Sequence, residues 1–207
     1  RDAQESRGLG DVYKRQQVSR PGDIKYKDLN HDGVIDSNDQ APIGYNPVPE
    51  MTFSLAAGLN WKGIDFSILL QGAARSSIYL QQDIAWDNFW GNYYEEHIGR
   101  WTPETAATAT YPRFTKAATA AHPNYYKSDY WLKDSKYLRL KNIQLGYTIP
   151  RKLLKKFGVR SLRVYANAYN LFTWDNVKKV DPESSNNSNG QFYPQQKVIN
   201  FGINLNF

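Results

Sequence analysis

The sequence predicts an all-β chain of antiparallel strands, and three observations carry that expectation. Five segments of about ten residues alternate apolar and polar side chains, the run Ile199–Phe207 without a break. The connections between them alternate between short and long. No run of 18 apolar residues occurs, so the chain offers no transmembrane helix.

The segments are justified in order. In Met51–Trp61, the residues Met51, Phe53, Leu55, Leu59 and Trp61 share one parity, while Thr52, Ser54, Gly58 and Asn60 share the other. In the next segment Ile64, Phe66, Ile68 and Leu70 oppose Asp65, Ser67 and Gln71. Then Ile143, Leu145, Tyr147 and Ile149 oppose Asn142, Gln144, Gly146 and Thr148. Leu162, Val164, Ala166, Ala168, Phe172 and Trp174 oppose Arg163, Tyr165, Asn167 and Tyr169. In the run "VINFGINLNF", Ile199, Phe201, Ile203, Leu205 and Phe207 oppose Asn200, Gly202, Asn204 and Asn206. A strand sends alternate side chains to opposite faces, so each segment has one apolar and one polar face. Two settings accept such strands: a sheet half covered by a soluble core, or a barrel wall between lipid and a wet lumen. Each is near the 9–11 residues that a tilted strand needs to cross a bilayer.

Leu138 and Leu140 lie out of phase with Ile143–Ile149. Either a bulge near Lys141 resets the faces, or the strand leaves the membrane there. Gly63 marks a tight turn, Gly72–Ser135 is long, "PRKLLKKFGV" is short, and Asp175–Gln195 is long again. Outer-membrane barrels have this asymmetry, with short periplasmic turns and long extracellular loops. With the last strand ending in the periplasm, Arg20–Glu50, Gly72–Ser135 and Asp175–Gln195 lie outside the cell.

Composition excludes more than it selects. The net charge is +6, but the cations are scattered apart from Arg151, Lys152, Lys155 and Lys156, so no stripe tracks a nucleic acid. The absence of cysteine removes disulfide scaffolds and thiolate metal sites. Aromatics make up 14% of residues, with 15 Tyr and 6 Trp, which suits a membrane–water boundary, sugar stacking or protein contacts.

The sharpest local motif is "DLNHDGVIDSND", Asp28–Asp39. Oxygen-bearing side chains recur at Asp28, Asn30, Asp32, Asp36 and Asp39, Gly33 permits the turn, and the Val34 carbonyl can point inward. This is the spacing of a twelve-residue loop that wraps Ca2+ in oxygens. It ends on Asp39 where Glu is common, and its flanks are not helices. It therefore reads as a structural clip rather than a sensor. The competing reading is a surface turn rich in Asp, Asn and Gly that holds no ion.

No catalytic set emerges. His31, His97 and His122 lack a paired nucleophile and read as surface residues. Asp87, Glu95, Glu96 and Glu104 have no fixed separation, and no phosphate-cradling glycine loop is present. The expectation is a protein that is not an enzyme. The segment "DIAWDNFWGNYYEEHIGRW" supplies Trp86, Trp90 and Tyr94, which either stack on a ligand, as Tyr165 and Tyr169 could from a lumen face, or form the small core a long loop needs.

Several runs together resemble one family. "PGDIKYKDLNHDGVIDSNDQAPIG", "RWTPE", "YPR", "SDYWLKDSKYLRLKNIQLGYTIP", "NLFTW", "DPE" and "FGINLNF" are similar, in this order, to the last part of SusC/RagA-type TonB-dependent outer-membrane transporters. The resemblance implies about five C-terminal strands of a 22-stranded barrel in the cell outer membrane. It implies import of oligosaccharides or peptides, a SusD-like lipoprotein lid, and energy from the TonB complex through a plug outside this sequence. It also implies a final aromatic strand read by the barrel-assembly machinery, and an apolar face against outer-membrane lipid. Residues 1–16, "RDAQESRGLGDVYKRQ", match nothing in that family and read as a foreign leader, leaving 17–207 as the barrel part. The rival from another class is a secreted, calcium-clipped β-sheet module that binds glycans.

Overall fold

The computed structural model describes residues 20–89, 91–116, 122–178, 180–184 and 193–207; the expected leader at 1–16 and Trp90 lie outside them. The chain divides into two units.

One unit comprises Val48–Ser76, Ser135–Pro182 and Tyr193–Phe207. It holds the strands β1 (Met51–Trp61), β2 (Ile64–Ala74), β5 (Tyr137–Thr148), β6 (Ser161–Asp175) and β7 (Val198–Asn206) in one sheet of order β1-β2-β5-β6-β7. Every neighbouring pair is antiparallel. The five segments expected from alternation are these five strands. β1 turns into β2 through Lys62 and Gly63, at φ 48° and 90°. Positive φ at both positions makes the primed turn whose twist matches a two-residue hairpin.

The register aligns like with like. One row across all five strands reads Leu59, Phe66, Leu145, Ala166, Phe201, and the next reads Trp61, Ile64, Tyr147, Val164, Ile203. On the other face one row reads Asn60, Asp65, Gly146, Tyr165, Gly202, and another reads Gly58, Ser67, Gln144, Asn167, Asn200. A slip of one residue in any strand would put polar groups into an apolar row, which is why the pattern specifies the register. The phase break in β5 is a bulge: against β2, Leu69 and Leu70 pair with Asn142 and Leu140, leaving Lys141 as the extra residue, while against β6 the step from Leu140 to Asn142 spans Phe172 to Tyr169, so the extra residue there is on β6. Leu140 thereby pairs with Leu70 and Phe172, and Leu138 with Trp174.

The other unit takes in residues up to Pro47 together with Ser77–Asp134 and a short piece at Glu183–Phe192. Its regular structure is small: β3 (Ser77–Tyr79) pairs with β4 (Leu132–Asp134), and the rest is short 3-10 turns and loop. Ile24, Ile78, Leu80, Trp86, Tyr111, Tyr125 and Trp131 are buried there. Thus the long connection expected between β2 and β5 carries a core of its own.

Candidate functional site

The sheet is a wall with two unlike faces. On the apolar face the side chains stand out: Phe201 is 83% exposed, Ile203 69%, Leu59 61% and Leu145 55%. In water each large apolar side chain left uncovered forgoes roughly 1.5–3 kcal/mol, so a patch five strands wide needs a cover. The polar face is knit across strands. Arg163 Nε donates to Asp65 Oδ1 at 2.9 Å, and its Nη2 donates to Oδ2. Tyr165 lies over Gly202, where any Cβ would strike the phenol ring, and the Arg163 guanidinium sits 4.8 Å from the Tyr165 ring centroid. Asn167 Nδ2 and the Tyr169 hydroxyl are 3.4 Å apart. Hence Tyr165 and Tyr169, two candidate ligand contacts, share one polar surface. At the end of this unit that carries Tyr137, the buried Arg139 donates to Thr173 at 3.0 Å and to Asp181 at 2.8 Å.

The Asp28–Asp39 loop is organised by its acidic side chains. Asp28 accepts the His31 amide at 2.6 Å and the Gly33 amide at 2.8 Å. Asn30 accepts the Asp32 amide at 3.0 Å, and Asp32 the Val34 amide at 2.8 Å. The Asp36 carboxylate takes the Asn38 amide at 2.7 Å. Asp39, 1% exposed, accepts from Leu29 and Asn30 on one oxygen and from Asp36 on the other. Asp39 thus ties the end of the loop to its beginning. The Asp36 amide, followed by those of Leu29 and Asn30, holds the Asp39 carboxyl below the usual carboxylate range. Among the described residues no three or more Asp, Glu and His side chains gather tightly enough to hold a metal. The donors are nonetheless all oxygen, the chemistry of a hard cation, and the carboxylate oxygens of Asp28, Asp32 and Asp36 that take one amide each keep a further lone pair.

In the same unit, the Asp87 carboxylate is 1% exposed. It accepts the Tyr125 hydroxyl and, at 2.9 Å, the Thr115 amide. Asn124, fully buried, accepts the Ile24 amide at 2.9 Å through its side chain and the Trp131 indole at 2.8 Å through its carbonyl. Asp23 pairs with Arg113 at 2.7 Å. Burial pushes the phenols of Tyr26, Tyr111, Tyr125 and Tyr130 upward, so all remain hydrogen-bond donors.

Trp86 is 4% exposed and packs on Tyr125 at 4.7 Å and edge-on to Phe89. Its ring belongs to the core of this unit in the structure. Tyr94 is 39% exposed, with its hydroxyl on the Asp83 carbonyl. His97 departs from the surface position expected of it. It is 2% exposed, its Nδ1 accepts the Tyr94 amide at 3.0 Å, and its Nε2 lies 3.3 Å from the Ala85 carbonyl. Asp87, considered as half of a carboxylate pair, is instead partnered by tyrosines. Sequence reasoning did not find the links Asp65–Arg163, Asp23–Arg113 and Asn124–Ile24, because no spacing signals a partner 90 or more residues away.

The chain matches no protein-family model. It is 30% identical over 203 residues to a TonB-dependent receptor, P26, of Formosa agariphila, covering 90% of this chain and 20% of that protein. It is 27% identical over 201 residues to the TonB-dependent receptor SusC of Bacteroides thetaiotaomicron, covering 94% of this chain and 19% of SusC. The chain therefore spans about a fifth of the length of these relatives. Its fold is similar to that of a solved RagAB peptide transporter, with TM-score 0.64 and 22% identity over 83% of this chain and 19% of the other.

Proposed function

We propose that this chain, which belongs with the SusC-like TonB-dependent receptors, forms one sector of an outer-membrane barrel that imports oligosaccharides or peptides. The observation that carries the reading is the two-faced register: apolar rows across all five strands on one side, largely exposed, and rows dominated by polar residues and glycine on the other toward the β1–β2 turn. Hydrocarbon covers that face, and the polar face borders the wet interior. A strand of 11 residues spans about 37 Å along its axis, enough to cross the membrane core at the tilt of barrel strands. The rival, a secreted glycan-binding module, would need a second layer over the apolar rows.

In this reading the protein is a gated passage rather than an enzyme. Cargo moves past the polar face, a SusD-like lipoprotein covers the mouth, and the TonB complex supplies the energy through parts outside this chain. Assembly of the wall in lipid rests on the barrel-assembly machinery. The Asp28–Asp39 loop is a calcium clip: Asp28, Asn30, Asp32, Asp36 and Asp39 with the Val34 carbonyl supply the oxygens, and the ion stiffens a segment outside the cell.

The test is uptake by cells carrying the full-length receptor. Labelled oligosaccharides and peptides are supplied with and without a collapsed proton gradient. Uptake that needs both the receptor and the gradient is expected. Accumulation of neither class, or accumulation indifferent to the gradient, would overturn the reading.

A further inference from the structure

We infer that the β1–β2 and β5–β6 turns form a basic, aromatic-edged rim that binds the headgroups of anionic phospholipid. This rests on the membrane reading above and goes beyond it, because it names a lipid class and an end of the wall.

The two turns lie at one end of the sheet, since Ile64 pairs with Tyr147 and Thr148 pairs with Arg163. After β5 the chain forms α1 (Arg151–Leu154), then a 3-10 turn at Lys155–Phe157, then Gly158 at φ 68°. Lys62, Arg151, Lys152, Lys155, Lys156 and Arg160 are all exposed there. No acidic residue occurs between Ile149 and Leu162. Asp65, the acid nearest in β2, is already taken by Arg163. The opposite end of the same sheet is built differently: Arg75 stands 3.9 Å from Glu50, and Arg139 2.8 Å from Asp181. At that end two arginines meet carboxylates, whereas the cations of the β5–β6 turn have no acidic residue in their own segment and are left for a counter-charge supplied from outside.

The apolar side chains of this rim say where that counter-charge sits. Leu153 and Phe157, four residues apart, are 65% and 75% exposed. Trp61, 59% exposed, ends the apolar parity of β1 at the β1–β2 turn, and the Lys62 ammonium lies 4.9 Å from its ring centroid. An apolar face that ends in exposed aromatics followed at once by cations is the profile of a hydrocarbon–headgroup boundary. A soluble acidic partner would match the charges but not their continuity with the apolar rows. A phospholipid leaflet matches both.

The intact receptor is purified in detergent and returned to bilayers of neutral phosphatidylcholine containing spin-labelled phosphatidylglycerol or spin-labelled phosphatidylcholine. Selectivity is read as the ratio of the two labels immobilised at the protein. The unmodified receptor is expected to prefer the anionic label. The triple variant K152Q/K155Q/K156Q is expected to lose about tenfold of that preference, and high salt to weaken it likewise. Lys197→Gln, at the opposite end, should leave it unchanged. These side chains are exposed, and resistance of the folded receptor to heat in detergent checks that the variant is intact. Equal selectivity in variant and parent overturns the inference, as does equal binding of both labels by the parent. A co-purifying protein lost from the variant at unchanged lipid selectivity overturns it in favour of a protein occupant. Those results leave the transport reading standing, whereas a receptor that enters no bilayer overturns both.

Discussion

Arg163 on β6 reaches Asp65 on β2 across the whole width of β5, and it does so above Gly146. A Cβ at Gly146 would come within 2.5 Å of the Arg163 Nη2 and 2.6 Å of the Asp65 oxygens. The missing side chain is what lets two polar groups on non-neighbouring strands meet. The pair thereby clamps three strands rather than two, on the face that the register makes polar.

Gly146→Val should break that clamp while keeping a residue of good strand propensity. The expected result in the full-length receptor is a lower melting temperature, read by heat-dependent gel mobility. Asp65→Asn, which removes the charge but no space, should give part of the same loss. An unchanged melting temperature in both would mean that the pair contributes nothing to the wall.

On the calcium proposal, two acidic positions of the Asp28–Asp39 loop should behave differently. Among the described residues Asp32 holds the Asn30 side chain and the Val34 amide, whereas Asp39 holds three amides from both ends of the loop. Asp32→Ala should abolish the calcium-dependent part of protease resistance near Asp28–Asp39. Asp39→Ala should make the loop sensitive with or without calcium. If the unmutated loop is cut equally in chelator and in calcium, no ion is held there.

Asp87 is the acceptor on which a buried part of the loop unit depends. Asp87→Ala strands the Thr115 amide, at roughly 1–3 kcal/mol for a donor left unpaired, and leaves the Tyr125 hydroxyl with Thr115 Oγ1 at 2.8 Å in place of the carboxylate. Amide hydrogen exchange at Thr115 should accelerate accordingly, with Asp87→Asn intermediate. Exchange at the parental rate would show that the tyrosines find other acceptors.

Protonation should loosen the same unit. His122 accepts the Asn124 amide through Nδ1 at 3.1 Å. Burial holds its pKa below the ordinary value near 6.5, with Asp23 and Asp87 opposing and Arg113 and Arg20 assisting. The unfolded chain therefore binds the proton more readily than the folded one. The stability that His122 contributes is complete above about pH 6.5 and is lost as the pH falls through the depressed folded value. Proteolysis within residues 122–134 should quicken across that window. His122→Gln should flatten the dependence, and a parental profile with no slope there would contradict the argument.

What was legible in the sequence follows from how each feature is encoded. Faces are encoded by parity, so Phe201 and Gly202 could be assigned to opposite sides before any partner was known. The order of the strands was open, yet the hydrophobic pattern excludes every register displaced by an odd number of residues. The bulge at Lys141 left a trace because it broke the phase of Leu138 and Leu140. His97 left none: a lone histidine in an aromatic loop has the same local pattern whether it is exposed or enclosed. The acceptor roles of Asp87 and Asn124 were hidden for the same reason, since their partners lie far along the chain.

Two adjacent residues of β5 give the most direct test of which medium touches the wall. Leu145 is in the row Leu59, Phe66, Leu145, Ala166, Phe201, and Gln144 is in the row with Ser67, Asn167 and Asn200. If hydrocarbon lies against the first row, Leu145→Lys carries a charge into lipid one row inside Trp61, at less than the roughly 2–4 kcal/mol of the midplane, whereas Gln144→Lys places the same charge in water. The amount of heat-resistant receptor in the outer membrane should fall for the first and hold for the second. In a water-soluble sheet the 55% exposed Leu145 would accept lysine without loss, so equal folding of the two variants would remove lipid from the account.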